Sequence, residues 1–169
     1  MNELSLWLDY YDDIYSDFDS RQYPKRRISD DFLYELKDAF KYRKERYNDI
    51  FLYLPQEKRT ETTEKIISAG LKTFFINQST TATERCRKKF NKGILLGITG
   101  IVTMIVNAFA ELKGSQTFFG MIVKIILEPG GWFLLWASFD FLFYDWKELK
   151  KERDFYDELS GINIHFRSS

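Results

Sequence analysis

The chain is poor in the residues on which most enzymes and metal proteins depend. It has one histidine, His165, and one cysteine, Cys86, in 169 residues. A single histidine leaves no two-histidine metal site and no HExxH zinc motif, and any Ser-His-Asp triad would rest on His165 alone. A lone cysteine excludes an intrachain disulfide and leaves a free thiol, which suits a reducing cytoplasm. Phosphate-binding loops are missing, because Gly93, Gly97 and Gly100 lie inside an apolar run rather than at a strand-to-helix turn. The acidic stretch Asp12 to Asp19 lacks the spacing of a Ca²⁺ loop. There is no net charge either, with 25 basic and 25 acidic residues, so no field favours nucleic acid or a strongly acidic partner. Met1-Asn2-Glu3-Leu4 shows no basic region followed by an apolar one, so no cleaved signal peptide is expected. The sequence predicts no enzyme, no cofactor, no metal and no nucleic-acid partner.

What is present is an uneven distribution of apolar residues that the mean hydropathy of −0.36 conceals. Gly93 to Ala110 carries no charge, whereas Glu3 to Lys65 is dense in it. Extended to Leu112 the apolar run makes a helix of about 30 Å, the thickness of a hydrocarbon core. A helix apolar on every face is rarely the core of so small a soluble protein. A first transmembrane span is therefore predicted over 93–112. Phe118 to Tyr144 is also apolar, but Lys124 and Glu128 interrupt it and Pro129-Gly130-Gly131 should break or kink a helix. Two arrangements fit, a single kinked span or a surface helix over 117–128 followed by a short span from about 130 to 146. Trp132 and Trp146, about 21 Å apart on a helix, could anchor two headgroup belts and favour the second, with Trp136 a further interface anchor.

The flanks read as a small cytoplasmic α+β part built from both termini. Residues 1–28 form an aromatic and acidic lead-in, expected as ordered coil with one helical turn. Ser29 caps a helix over 30–45 with a buried stripe of Phe32, Leu36, Ala39 and Phe40. Tyr47 to Leu54 is rich in aromatic and β-branched residues and is stopped by Pro55, which predicts a strand. A second helix starts after Thr60 and runs without a breaker toward the first span. The tail, 147–169, is expected to be a helix to about Leu159, a break at Gly161 and a strand over Ile162 to Phe166 that pairs with Tyr47 to Leu54. Basic residues crowd before the first span (Arg85, Arg87, Lys88, Lys89, Lys92) and after the second (Lys147, Lys150, Lys151, Arg153), while the connection has only Lys113 and Lys124. By the positive-inside bias both termini are cytoplasmic.

Several residues stand out as candidate sites. Asn107 and Asp140 are polar groups within the spans, and an ionisable group there is costly and marks function by default. Lys124 and Glu128 stand at helical pairing distance. Gly93, Gly97 and Gly100 allow close helix packing, within the hairpin or between copies. Asp12, Asp13, Asp17 and Asp19 either dock a cytoplasmic protein partner or pair with nearby arginines.

Tyr11-Asp12-Asp13-Ile14-Tyr15-Ser16-Asp17-Phe18-Asp19, Ser29-Asp30-Asp31-Phe32-Leu33, and Gly130-Gly131-Trp132 with Trp136 and Tyr144-Asp145-Trp146 together resemble a family of small prokaryotic two-span membrane proteins. That family has no assigned activity, so the resemblance implies topology and not function. In size and layout alone the chain is distantly similar to small membrane proteins that accompany phage-defence systems, some of which form pores. The expectation is a homo-oligomeric bacterial membrane protein that forms a pore or membrane-perturbing ring, the alternative being a membrane-tethered adaptor docking its partner through residues 1–28.

Overall fold

The computed structural model describes residues 3–42, 46–112 and 118–169. The expected end of the first helix (43–45), the loop base Lys113 and the expected helix start at 117 lie outside the described residues. In chain order the elements are β1 (Glu3–Trp7), α1 (Asp30–Tyr42), β2 (Asp49–Leu54), α2 (Glu61–Leu112), α3 (Phe118–Asp140), α4 (Trp146–Gly161) and β3 (Asn163–Ser168). They divide into two compact units, one of Met1–Thr80 with Asp154–Ser169, the other of Thr81–Arg153. The protein is mainly helical with a three-stranded sheet.

In the first unit all strand pairs are parallel and β2 is central, with Leu4 opposite Ile50 and Ile50 opposite Ile164. Alternation then places Leu4, Leu6, Ile50, Leu52, Leu54, Ile164 and Phe166 on one face. Leu4, Ile50, Leu52 and Leu54 are buried, as are Ile14, Ile28, Phe32, Leu36, Ile67, Leu71, Phe75 and Leu159 from the rest of the unit. Each such side chain contributes about 1.5–3 kcal/mol when fully buried. α1 forms because Ser29 accepts the Asp31 amide on its Oγ at 3.2 Å and Phe32, Leu36 and Phe40 fall every fourth residue on the buried side. The tail strand pairs with β2 over six residues. The strand β1 replaces the coil expected at the start of the lead-in. Its alternation of Leu4 and Leu6 with Glu3, Ser5 and Trp7 is the signal, five residues long.

The opposite sheet face is open at Trp7, His165 and Arg167, yet Phe51 in its middle is 6% exposed. Polar side chains cover it. The Arg167 guanidinium lies 3.6 Å over the Phe51 ring, and the His165 ring stacks on it at 5.2 Å while Nε2 meets Asp49 Oδ1 at 3.0 Å. Arg59, just after β2, binds Glu64 at 2.8 Å and donates to the Phe166 carbonyl at 3.1 Å, fastening β3 from the side.

In the second unit α2 continues unbroken to Leu112, as the absence of breakers predicted. The Pro-Gly-Gly sequence does not break α3. Pro129 sits inside a helix that runs from Phe118 to Asp140, turns through a π-helical stretch at Phe141–Asp145 and continues as α4. The break at Pro129-Gly130-Gly131 that a surface helix followed by a separate short span assumed is thus absent, and the helix is continuous there. Gly131 acts as a contact rather than a breaker: a Cβ there would meet Met104 Cγ at 2.6 Å and the Gly100 carbonyl oxygen at 3.4 Å.

Candidate functional site

α2 and α3 form an antiparallel hairpin along a seam of small residues. Buried positions on α2 recur every seventh residue at Cys86, Gly93, Gly100 and Asn107, the spacing of helices that wind around each other. A Cβ on Gly100 would lie 3.1 Å from the Gly131 carbonyl oxygen and 3.1 Å from the Leu135 amide nitrogen; one on Gly97 would lie 2.8 Å from Ser138 Oγ. Ser138 Oγ donates to the Gly93 carbonyl at 2.8 Å. The three glycines singled out for helix packing thus all serve contact within the chain.

Away from the seam the helices are apolar and exposed. Both α2 and the α3–α4 helix are long and apolar enough to cross a membrane, and only 11% and 6% of their most apolar stretches are buried. Leu95, Ile98, Ile101, Val102, Ile105 and Val106 on α2, and Ile125, Ile126, Phe133 and Trp136 on α3, each expose about half or more of their surface. A core helix of a soluble protein would hide these groups.

Near the loop end of the hairpin the seam opens into a cleft of about 220 Å³ lined by Met104, Asn107, Glu111, Lys124, Glu128 and Trp132. Three of the four polar residues singled out in the apolar segments of the sequence therefore come together. Asn107 is 9% exposed, and its Oδ1 finds no hydrogen-bond partner among the described residues. The close ion pair of Lys124 is with Glu111, its Nζ reaching Glu111 Oε1 across the hairpin at 2.7 Å, while Glu128 acts on it as a weaker, more distant charge. Glu111 escaped sequence reading because its partner lies on the other helix. Two carboxylates and one ammonium leave the cleft with a single net negative charge.

Asp140 is elsewhere. Gly93 packs against Leu142, and Gly93 and Asn107 are about 21 Å apart along α2, so Asp140 and Asn107 occupy opposite ends of the hairpin and do not line one path within a chain. Asp140 points outward among exposed Trp136, Phe139 and Phe143 and has no hydrogen-bond or ion-pair partner among the described residues. At that end Lys89 pairs with Asp145 at 2.7 Å, Lys92 lies 5.1 Å over the Phe141 ring, and Trp146 meets Phe90 at 5.6 Å. Trp146 thus stands at the basic end. Trp132 lies midway between Phe118 and Trp146 in sequence and borders the cleft.

In the first unit the lead-in acids are mostly engaged locally. Asp12 Oδ1 accepts from Tyr23 Oη and Arg26 Nη1, both at 2.5 Å, and Asp13 accepts the Asp9 and Tyr10 amides at 2.7 and 2.9 Å. The Arg21 side chain, followed by the Arg27 amide, holds the Asp19 carboxyl well below the usual carboxylate range. Asp17 alone of the four has no partner among the described residues, and Phe18 beside it is fully exposed. A shallow cavity of about 480 Å³ lies in the same unit beside Arg27, Tyr34, Lys37 and Phe74, with Arg27 already bound to Asp30 at 2.6 Å.

No protein-family model, curated protein or solved structure matches the chain. Its class is set by its own architecture: a mainly helical protein joining a small parallel sheet to a pair of helices long and apolar enough to span a membrane.

Proposed function

We propose that the chain is an integral protein of the bacterial inner membrane, with both termini in the cytoplasm, whose hairpins assemble into a homo-oligomeric ring that forms a pore or perturbs the bilayer. The observation that carries insertion is the exposed apolar surface of α2 and α3. Hydrocarbon is the solvent that removes its cost. The sheet supports a two-span topology. β2 precedes the hairpin and β3 follows it, yet Asp49 and Asn163 are register partners, so the chain must return to the side it left. The basic residues at that end support the cytoplasm as that side. The likeness to phage-defence proteins makes cell defence the proposed setting.

Asp140 supports assembly. An outward carboxylate about 9 Å from Trp146 along the helix is unfavourable in lipid unless a cation meets it. A two-fold contact at this face would set Asp140 against Asp140. Lys92 is also exposed and stands at nearly the same level, since Gly93 and Gly97 face Leu142 and Ser138. A head-to-tail contact pairs Asp140 with Lys92 of the next copy, and repetition of such a contact closes a ring. With Cys86→Ala as background, D140C together with K92C is expected to give a ladder of disulfide-linked multimers in membranes, and the unmodified protein to release dye from liposomes. A single dimer band would remove the head-to-tail arrangement. One copy per nanodisc by light scattering would remove the ring.

A tethered adaptor is the second reading, supported by Phe18 standing fully exposed beside the unengaged Asp17. Replacing the hairpin by an unrelated anchor separates the two: activity kept means adaptor, activity lost with partner binding intact means pore.

A further inference from the structure

Phe18 is fully exposed at the tip of a turn that hydrogen bonds hold from both sides. The Asp19 amide donates to the Ser16 carbonyl at 3.2 Å and closes the turn, and the Ser16 amide donates to the Arg27 carbonyl at 2.9 Å. The Asp19 carboxylate accepts from the Arg27 amide and from Arg21 Nη2, both at 2.7 Å, while Arg26 Nε donates to the Ser16 carbonyl at 3.2 Å. A loose loop could lay its ring back on the unit; this one fixes the ring in water. An aromatic side chain held in place beforehand loses little freedom on docking and makes a good anchor. One exposed ring is nevertheless ordinary on a protein surface.

What gives this ring a destination is the cavity of about 480 Å³ in the same unit. Ile28, Leu33, Phe74 and Tyr156 give it an apolar lining, and its volume is in the range that holds a small organic group. Phe18 is not among the lining residues, so the chain does not fill its own cavity. At its side Lys37 is exposed, 5.9 Å from the Tyr156 ring, with no carboxylate partner among the described residues. The other lining cation, Arg27, is held by Asp30. Asp17, next to Phe18, is a carboxylate without a partner among the described residues. Knob and hole are thus complementary in both respects: ring to apolar lining, carboxylate to ammonium. They are also neighbours, since Asp19 accepts the Arg27 amide and Arg27 lines the cavity. A patch that carries its own complement suits a two-fold contact, which closes at two copies.

We infer that this unit pairs with a second copy by exchange of Phe18, each ring entering the cavity of the other copy and each Asp17 meeting the other copy's Lys37. The contact belongs to the sheet-bearing unit and is separate from the Asp140–Lys92 contact of the hairpin. It stands or falls without membrane insertion and without the ring.

The full chain with Phe18 replaced by photoreactive benzoylphenylalanine is irradiated in membranes. An adduct of twice the chain's mass is expected, joining position 18 to Leu33, Lys37 or Phe74, and a mixture of isotopically light and heavy chains in detergent should show that the two ends belong to different copies. An adduct with lipid, with another protein or within one copy overturns the exchange. Light scattering of the Asp140→Asn chain in detergent reads the same pairing with the hairpin contact removed. In that background Phe18→Ala should weaken dimerisation by about tenfold or more. Asp17→Lys and Lys37→Asp should each weaken it by about threefold, and the two together should restore it, a rescue that mere loss of folding would not give. Single copies at every concentration, species beyond the dimer, full pairing by Phe18→Ala or no rescue by the double exchange of charge each overturn the inference. Linkage through D140C and K92C reports on the ring alone, so the two contacts fail independently.

Discussion

Tyr15 is 2% exposed, and its hydroxyl has no hydrogen-bond partner among the described residues. Burial pushes its phenol up to about 12, and burial followed by the hydrogen bond to Asp12 does the same for Tyr23. An unfolded tyrosine ionises near 10. Between about pH 10 and 12 the native state therefore holds protons that the unfolded state has released, and stability must fall across that window, being complete below it. Denaturant unfolding of the full chain in detergent should show this fall, with phenolate absorbance rising in step. Tyr15→Phe removes the orphan hydroxyl and should stabilise by up to about 1 kcal/mol while flattening the slope. A slope unchanged in both Tyr15→Phe and Tyr23→Phe would disprove the assignment. The same lead-in shows what sequence can tell at this scale. That Asp12, Asp13 and Asp19 sit near arginines is legible in the letters; that Asp12 takes Tyr23 and Arg26 while Asp13 takes two amides depends on the turn at Tyr11–Ile14.

Among the elements, α2 was the most legible and α3 the least. α2 announces itself by an apolar run without Pro, whereas Pro129-Gly130-Gly131 carries every local mark of a break. Tertiary contact decides otherwise: without side chains, Gly100 and Gly131 let two helix backbones meet, and the helix holds through the proline. Gly100→Leu puts a side chain where α3 backbone atoms stand 3.1 Å from a mere Cβ. Overpacking of this kind costs about 1–3 kcal/mol. Its thermal transition in detergent should drop by several degrees, whereas Ile101→Leu, on the exposed side, should leave it unchanged. Equal effects would mean that the seam is not where the helices hold each other. The cleft was legible as three separate polar residues, Asn107, Lys124 and Glu128. Its fourth member and the pairing of Lys124 came only with the antiparallel fold.

For the whole molecule, the feature that sequence could name but not orient is the sheet. Two strand-like segments at either end of the chain invited pairing; the parallel direction and the third strand β1 come from the fold. β2 depends on both neighbours, and β3 supplies six of its register partners. A chain ending at Gly161 should leave residues 3–80 open to protease in isolated membranes, with a fragment near 81–153 still protected. Survival of an intact 3–80 fragment would show that β1 and the helices suffice without β3.

Asn163 meets Asp49 at a separation of 114 positions, and the hairpin lies wholly between them. In the proposed membrane topology β2 waits during synthesis with one edge bare until both apolar helices have left the ribosome and the tail has come back to the same compartment. A hairpin threaded with only one crossing strands β3 on the far side, and the bare edge persists as a mark for chaperones and proteases. In that topology β3 is thus an inspection step: a correctly inserted chain finishes the sheet and a misthreaded one does not.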